Sequence, residues 1–511
     1  MPNQSMQKKD KISVLLKYFT DGTADDDRDI LQQAFVKTDF FQSFIDFSPT
    51  SPTLLVGAKG TGKSAILDFI YSSFSATGVR SLLIRPEEIN IAWGGEQSSG
   101  YLIRTATECL ARTIAAKLGT QYSGLLSGYK EILHELSSTE YETRQDGVQR
   151  LANGLNQIAK SVADVDFSNF LEKSPPNLRT IINAIEQSVN GSNFYLFIDD
   201  TDRITTPDLV GLNRIWAFIL ATRSLMRQIP SLRIAISLRS EIWNRLTEDP
   251  QGQQDQIDHV RDHVITLSVT NKEIEEIIER RFILSARELG SGDYISSFFD
   301  GKTYCLVDGE GMRRPWLEYI ARRSRFRPRD AIQMVRKWVR HMRCHRLSYI
   351  DDGAVSSSIG DYSKERIDDL VRETSLECPN LIAVIDRFAI TRGDRGAYAY
   401  SSDALNGLLS GAISSRVLLH GISLKPGDTF PLWKFLFEVG FISARHDLSV
   451  LENSYNQDPA YKHITSHDAP DFLRDVSWNF RQRYIWQVHP AYTEYLGMKK
   501  RASWDYGGIG K

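Results

Sequence analysis

The chain has 511 residues, 41% hydrophobic and 25% charged, which is too long for one core and ordinary for a globular protein of two to four domains. Its 62 Lys and Arg against 64 Asp and Glu leave a formal net charge of -2, which excludes a histone-like polycation and leaves room for a local basic patch. Four cysteines, Cys109, Cys305, Cys344 and Cys378, stand far apart with no C-x-x-C pair, a usage that fits a reducing cytosol better than a disulfide scaffold.

Residues 1–50 read as helical and polar, with aromatics in "AFVKTDFFQSFIDF" and no signal peptide at the start. A first strand is expected at 53–57 ("TLLVG"), a helix from the following Lys-Ser pair, and a second strand at 81–86. Helical periodicity dominates from about 101 to 190, with breaks near "SSTE" and "EKSPPN". Further strands are expected at 194–199, 232–238 and 263–269. Between them runs the apolar helix 209–226, which Asn213, Arg214 and Arg223 interrupt, so it reads as buried in protein rather than spanning a membrane. Short apolar strands alternating with helices predict an α/β domain whose parallel sheet is covered on both faces. From 270 the strands stop. After about 346 mixed helices lead to "LFEVGFISAR" and "YIWQVHPAYTEYL", a helix and two short strands that suit a winged-helix module. The expected domains are therefore an N-terminal helical segment (1–50), an α/β domain (51–270) with a helical insertion at about 101–190, a helical lid (271–346) and a winged-helix-like C-terminal domain (347–511).

Residues 57–64, "GAKGTGKS", match G-x-x-x-x-G-K-[ST] between a strand and a helix. Glycines let successive backbone N–H groups point inward with no Cβ in the way, and the helix that follows adds its positive end. The candidate phosphate-binding residues are Gly57, Ala58, Lys59, Gly60, Thr61, Gly62, Lys63, Ser64 and Ala65. Lys63 supplies a point charge to the β- and γ-phosphates, and Ser64 offers a hydroxyl to Mg²⁺. The run "FYLFIDDTDR" delivers Asp199 and Asp200 at the C-terminal end of a buried strand, where open α/β sheets bind ligands. Asp199 would hold Mg²⁺ directly or through water. Asp200 would orient or deprotonate the attacking water. One strand between the phosphate loop and the acidic strand looks like the additional-strand division of P-loop ATPases. The nearest match to the guanine motif, "NKEI" at 271–274, lacks the aspartate, so ATP is expected rather than GTP.

These motifs, with the arginine in "AISLRSEIW" and the segment "RPRDAI", resemble bacterial P-loop ATPases near the boundary of the AAA+ and STAND groups. "IDDTDR" is also similar to the KAP NTPases, which carry membrane spans not evident in this chain. The resemblance implies that Arg239 senses the γ-phosphate and that Arg327 and Arg329 are lid arginines reporting bound nucleotide. It also implies a cytoplasmic Mg²⁺-dependent ATP hydrolase that works as a conformational switch, assembles as a homo-oligomer and serves a separate effector protein in anti-phage defence.

Between Arg313 and Arg346, twelve Arg or Lys face only Glu318 and Asp330, a local formal charge of +10. Ile332, Val335, Val339 and Met342 mark an apolar stripe, with Arg329, Arg336, Arg340 and Arg343 largely opposite. That face either binds nucleic acid, making the protein an ATP-regulated DNA-binding initiator or regulator, or pairs with acidic neighbours. His341, Cys344 and His345 lie close together but offer only three soft ligands, a weak zinc pattern set against ordinary packing. Cys109 on an amphipathic helix reads as core rather than nucleophile.

Overall fold

The computed structural model describes residues 10–145, 176–248, 258–305, 313–447 and 463–507, apart from a few positions inside those ranges. It divides into two compact units, Lys37–Leu267 on one hand and Met1–Val36 with Ser268–Lys511 on the other. The expected 1–50 segment is thus shared between the two, and the expected helices between 146 and 175 lie outside the described residues. Helix α1 (Lys11–Tyr18), at the chain's start, belongs to the second unit.

The first unit is built on five parallel strands: β1 (Thr53–Gly57), β2 (Ser81–Ile84), β3 (Phe194–Ile198), β4 (Leu232–Arg239) and β5 (Val264–Thr266). Their order is β2-β3-β4-β1-β5. Strands β1, β3 and β4 are almost continuously apolar because helices cover both faces, whereas β2 and β5 at the edges are only half-buried. The fold is the parallel-sheet P-loop core of the additional-strand type. The added strand is β4, which separates β1 from β3. Its residues pair with both neighbours, Ser237 opposite Leu55, Arg239 opposite Gly57, and Ile236 opposite Ile198.

Helix α2 (Lys63–Ala76) follows the first glycine loop. Helices α3 (Ser99–Gly119), α4 (Tyr129–Gln145) and α5 (Leu178–Val189) form the described part of the insertion. Helix α6 (Leu209–Gln228) buries Ile215, Phe218, Ile219 and Leu225 in one cluster with Leu110 and Ile114 of α3 and with Leu54, Ile234 and Ile236 of the sheet. Burying each such side chain contributes about 1.5–3 kcal/mol relative to exposure, which explains why a helix carrying Arg214 and Arg223 is still held inside the unit. Helix α7 (Ser240–Glu248) begins directly after β4.

The second unit contains α8 (Asn271–Glu288), α9 (Trp316–Arg323), α10 (Pro328–His345) and α11 (Asp352–Glu373). A capping box opens α8: Thr270 Oγ1 accepts from the Glu273 N–H, and the Thr270 N–H donates back to the Glu273 carboxylate at 2.7 Å. Pro328 sits in the first turn of α10, where its missing N–H costs nothing. Beyond them come α12 (Leu381–Ile390), β6 (Ala399–Tyr400), α13 (Ser402–Ile413), α14 (Phe430–Glu438), β7 (Ile442–His446), β8 (Tyr484–Val488) and α15 (Thr493–Gly507). Strands β7 and β8 are antiparallel, and β6 adds a third strand beside β8; α12, α13, α14 and α15 share one apolar core with this three-stranded sheet. Trp433 and Trp486 cross edge to face at 4.9 Å in this core.

Candidate nucleotide site

The glycine loop owes its shape to three positions. Gly60 and Gly62 have φ of 84° and 104°, in the left-handed region that side chains disfavour. A Cβ at Gly57 would sit 2.9 Å from Thr61 Oγ1, whose hydroxyl donates to the Ala58 carbonyl at 2.8 Å. Helix α2 starts at Lys63, so the N–H groups of its first turn, including those of Ser64 and Ala65, have no partner within the helix. Lys63 is only 6% exposed. Its Nζ donates to the carbonyls of Gly57 at 2.7 Å and Ala58 at 3.1 Å. Burial pushes the Lys63 pKa down, against the upward pull of Glu241, Asp202 and Asp200. Lys59 is half-buried.

The acidic strand meets this loop through β4. Asp199 is buried, and its Oδ1 accepts from Ser237 Oγ at 2.6 Å. The same hydroxyl accepts from the Asp200 N–H at 2.8 Å. Ser237 therefore orients one carboxylate and fixes the backbone of the next. Asp200 takes φ 44° and ψ 42°, a left-handed conformation that Asp tolerates better than most residues, and turns the chain into a short 3-10 turn, Thr201–Arg203. If Asp199 serves a bound Mg²⁺, Ser237→Ala should lower Mg²⁺-dependent phosphate release about 10–100-fold, the usual loss when the support of a metal ligand is removed. Titrating phosphate release against Mg²⁺ checks it, and an unchanged profile would count against Ser237 as the support.

Besides Ser237, two acidic residues of this site escape the sequence reading. The 3-10 turn brings Asp202 back to β4, where its Oδ2 lies 2.9 Å from Arg239 Nε. Burial raises the Asp202 pKa, Arg239 opposes that, and Asp200 adds to it. Glu241, in the first turn of α7, is near enough to act on the Lys63 ammonium. Oxygens Oδ1 of Asp202, Oε2 of Glu241 and Oγ1 of Thr201 are buried without a hydrogen-bond partner. The available signals were the third aspartate in "DDTDR" and the glutamate two residues after Arg239.

The pattern fits Mg²⁺ with a polyphosphate. A cradle with room around Gly62, unused helix N–H groups, a hydroxyl at Ser64 and a braced carboxylate at Asp199 are the donor types such a ligand needs. Among the described residues, no three His, Cys, Asp or Glu cluster as a metal cage.

The lid arginines lie in the second unit. Arg327 donates both its bonds from Nη1 to the Glu373 carboxylate, at 2.9 and 3.0 Å, and Arg329 Nε donates to the Gly22 carbonyl at 3.2 Å. The rest of the basic segment is largely paired as well. Arg325 and Arg366 grip Asp330, Arg336 pairs with Asp21 at 3.0 Å, Lys337 with Glu365 at 2.7 Å, and Arg314 with Glu318 at 3.0 Å. Exposed arginines remain at the end of α10: Arg340, Arg343 and Arg346. The local charge of +10 is thus offset in part by Asp21, Glu365 and Glu373, acids far away in sequence. The His341 and His345 rings lie 4.1 Å apart and tilted by 32°, and His341 Nδ1 contacts Ser357 Oγ at 2.8 Å; Cys344 is exposed. Cys109 is half-buried against the first unit's core.

A family profile described as the FunZ-associated C-terminal helical domain matches residues 272–371, the stretch from α8 to α11. The transposon gamma-delta 80.3 kDa protein of Escherichia coli strain K12 is 25% identical over 261 residues, 45% of this chain and 35% of that protein. The match therefore spans about a third of that relative's length. Among solved structures, the Aeropyrum pernix ORC2 protein in ADPNP-ADP complexes aligns over 99% of this chain and 96% of its own, at 10% identity and a TM-score of 0.40. The Aeropyrum pernix ORC1 protein in complex with DNA aligns over 97% and 99%, at 12% identity and 0.34. The Thermotoga maritima RuvB Holliday junction branch migration motor aligns over 84% and 88%, at 15% identity and 0.29. No helix among the described residues is long and apolar enough to cross a membrane.

Proposed function

We propose that the chain is an Mg²⁺-dependent ATP hydrolase that uses the nucleotide to switch conformation. The observation that carries this reading is the Ser237 bridge, which braces Asp199 and Asp200 on the strand adjoining a loop that already holds a buried lysine. Bound Mg²⁺ would neutralise developing phosphate charge. Ser64 and Asp199 would hold it, while the loop N–H groups and Lys63, moving off the two carbonyls, would bind the phosphates. Asp200 would take the proton of the attacking water, giving ADP, phosphate and a proton. Arg239 would contact the γ-phosphate, and Arg327 and Arg329 would report its presence once freed from Glu373 and Gly22.

On this reading α8–α11 act as a lid and the C-terminal helices and strands as a winged-helix relay. The resemblance to P-loop ATPases near the AAA+ and STAND groups extends this reading to a separate effector protein, a homo-oligomeric assembly and a role in antiviral defence. A DNA-binding regulator set by ATP is the second reading. Its support is now narrowed to the exposed Arg313, Arg340, Arg343 and Arg346, because most other arginines of the segment pair within the fold. The deciding experiment is calorimetry with ATP and Mg²⁺, together with phosphate release by the full chain. Heat of binding with steady release supports the hydrolase. Binding without release leaves only the regulator, and no heat at all ends both.

A further inference from the structure

We propose that Asp202 is a positioning residue that latches Arg239 in the nucleotide-free chain and thereby sets how strongly the site prefers ATP over ADP. This rests on the reading of the site as an ATP site and names what tunes it. Arg239 ends β4 opposite Gly57, so its backbone is pinned beside the phosphate loop and only its side chain can choose a partner. In this structure the partner is Asp202, at 2.9 Å.

The two ends of that pair differ. The Arg239 side chain is 33% exposed and can swing, whereas the Asp202 side chain is 6% exposed. Asp202 sits in a one-turn 3-10 segment between Asp200 and Ile204, and its second oxygen is already without a partner. The mobile member is therefore the guanidinium. Reaching a γ-phosphate requires it to leave a buried carboxylate, and Lys63 is then the cation left to act on Asp202. A diphosphate asks for no such exchange. The pair thus opposes ATP and leaves ADP untouched, so the γ-phosphate is recognised by competition with an acid of the same chain. Partial exposure of the arginine keeps the pair weak enough to be broken by a multiply charged phosphate.

Affinities of the full chain for Mg-ATP and Mg-ADP test this in five forms: wild type, Asp202→Asn, Asp202→Ser, Arg239→Ala and the Asp202→Asn/Arg239→Ala double variant. Asp202→Asn should tighten ATP about tenfold, equivalent to about 1.4 kcal/mol, and shift ADP less than about twofold. In the Arg239→Ala background the same change should do nothing to the ATP-to-ADP ratio. Asp202→Ser, neutral and smaller, must reproduce the rise, which guards against a folding defect peculiar to asparagine. An unchanged or reduced ratio in both Asp202 variants overturns the latch, as does a rise that survives in Arg239→Ala. If wild type binds neither nucleotide, the ATP reading fails and takes the latch with it. Tight binding of both nucleotides with an unmoved ratio defeats the latch alone.

Discussion

Lys63→Ala should cut ATP turnover by about 10²–10³-fold, the loss typical of removing one preorganised electrostatic donor from a water-poor site. Lys63 is the buried cation of the glycine loop, fixed by two carbonyls and by the start of α2. Stability should move the other way. Burial lowers the Lys63 pKa in the folded chain, so the charged form is disfavoured there relative to the unfolded chain. Its cost is present at neutral pH and fades only as pH rises through the folded and then the unfolded value. The nucleotide-free variant should therefore be no less stable than wild type near pH 7, while losing the extra stability that Mg-ATP confers. Thermal unfolding with and without Mg-ATP, beside phosphate release, reads both effects. Turnover equal to wild type would remove Lys63 from the chemistry.

The largest structural loss is expected at Asp330. Its carboxylate is 2% exposed and lies between the guanidiniums of Arg325, at 2.7 Å, and Arg366. Replacing it with alanine leaves two buried cations with only the more distant Asp369, at 4.0 and 3.0 Å, between them, a change worth about 3–5 kcal/mol. For a unit of this size that is a fall in Tm of about 5–10 °C. The cluster also holds a strained link. Arg325 and Phe326 are consecutive left-handed residues with φ of 53° and 57°, each an unfavourable conformation for a residue with a side chain. The buried Arg325–Asp330 pair and the stacking of Phe326 on His467 at 4.3 Å keep them there.

The pH dependence follows in sign. Burial alone would raise the Asp330 pKa, but Arg325, Arg366 and Arg327 hold it below the ordinary carboxylate value. A depressed folded pKa contributes stability that is present above the unfolded value and disappears as pH falls through the folded one. Wild type should thus lose this contribution in acid. Asp330→Ala should show a shallower acid dependence as well as a lower Tm at pH 7. Unfolding curves for the two chains that coincide at pH 7 would discard the network as a source of stability.

Much of the first unit was legible because its signals are local. Strand, glycine turn and helix succeed one another within 24 residues, and the expected strand at 53–57 and helix from Lys63 are the observed β1 and α2. The strand expected at 263–269 shrinks to Val264–Thr266, because β5 is an edge strand with one neighbour and little burial. Ser237 was invisible because a serine in an apolar strand reads as tolerated core until β3 is placed beside it. Asp202 and Glu241 were passed over for a related reason: only the fold turns them toward Arg239 and Lys63. The basic segment misled in the opposite direction. Charge summed along 34 residues says nothing of Asp21, Glu365 and Glu373, which the fold brings to it.

The amino-acid order alone determined the phosphate loop, its lysine, the paired aspartates and the parallel α/β class, since each follows from backbone freedom, strand burial or the run of a single helix. Tertiary structure decided the insertion of β4 between β1 and β3, the hydroxyl that braces the aspartates, the acid that holds Arg239, and how much of the positive charge remains on the surface. Those depend on which distant groups lose water together, and desolvation is a property of the folded neighbourhood rather than of any stretch of chain.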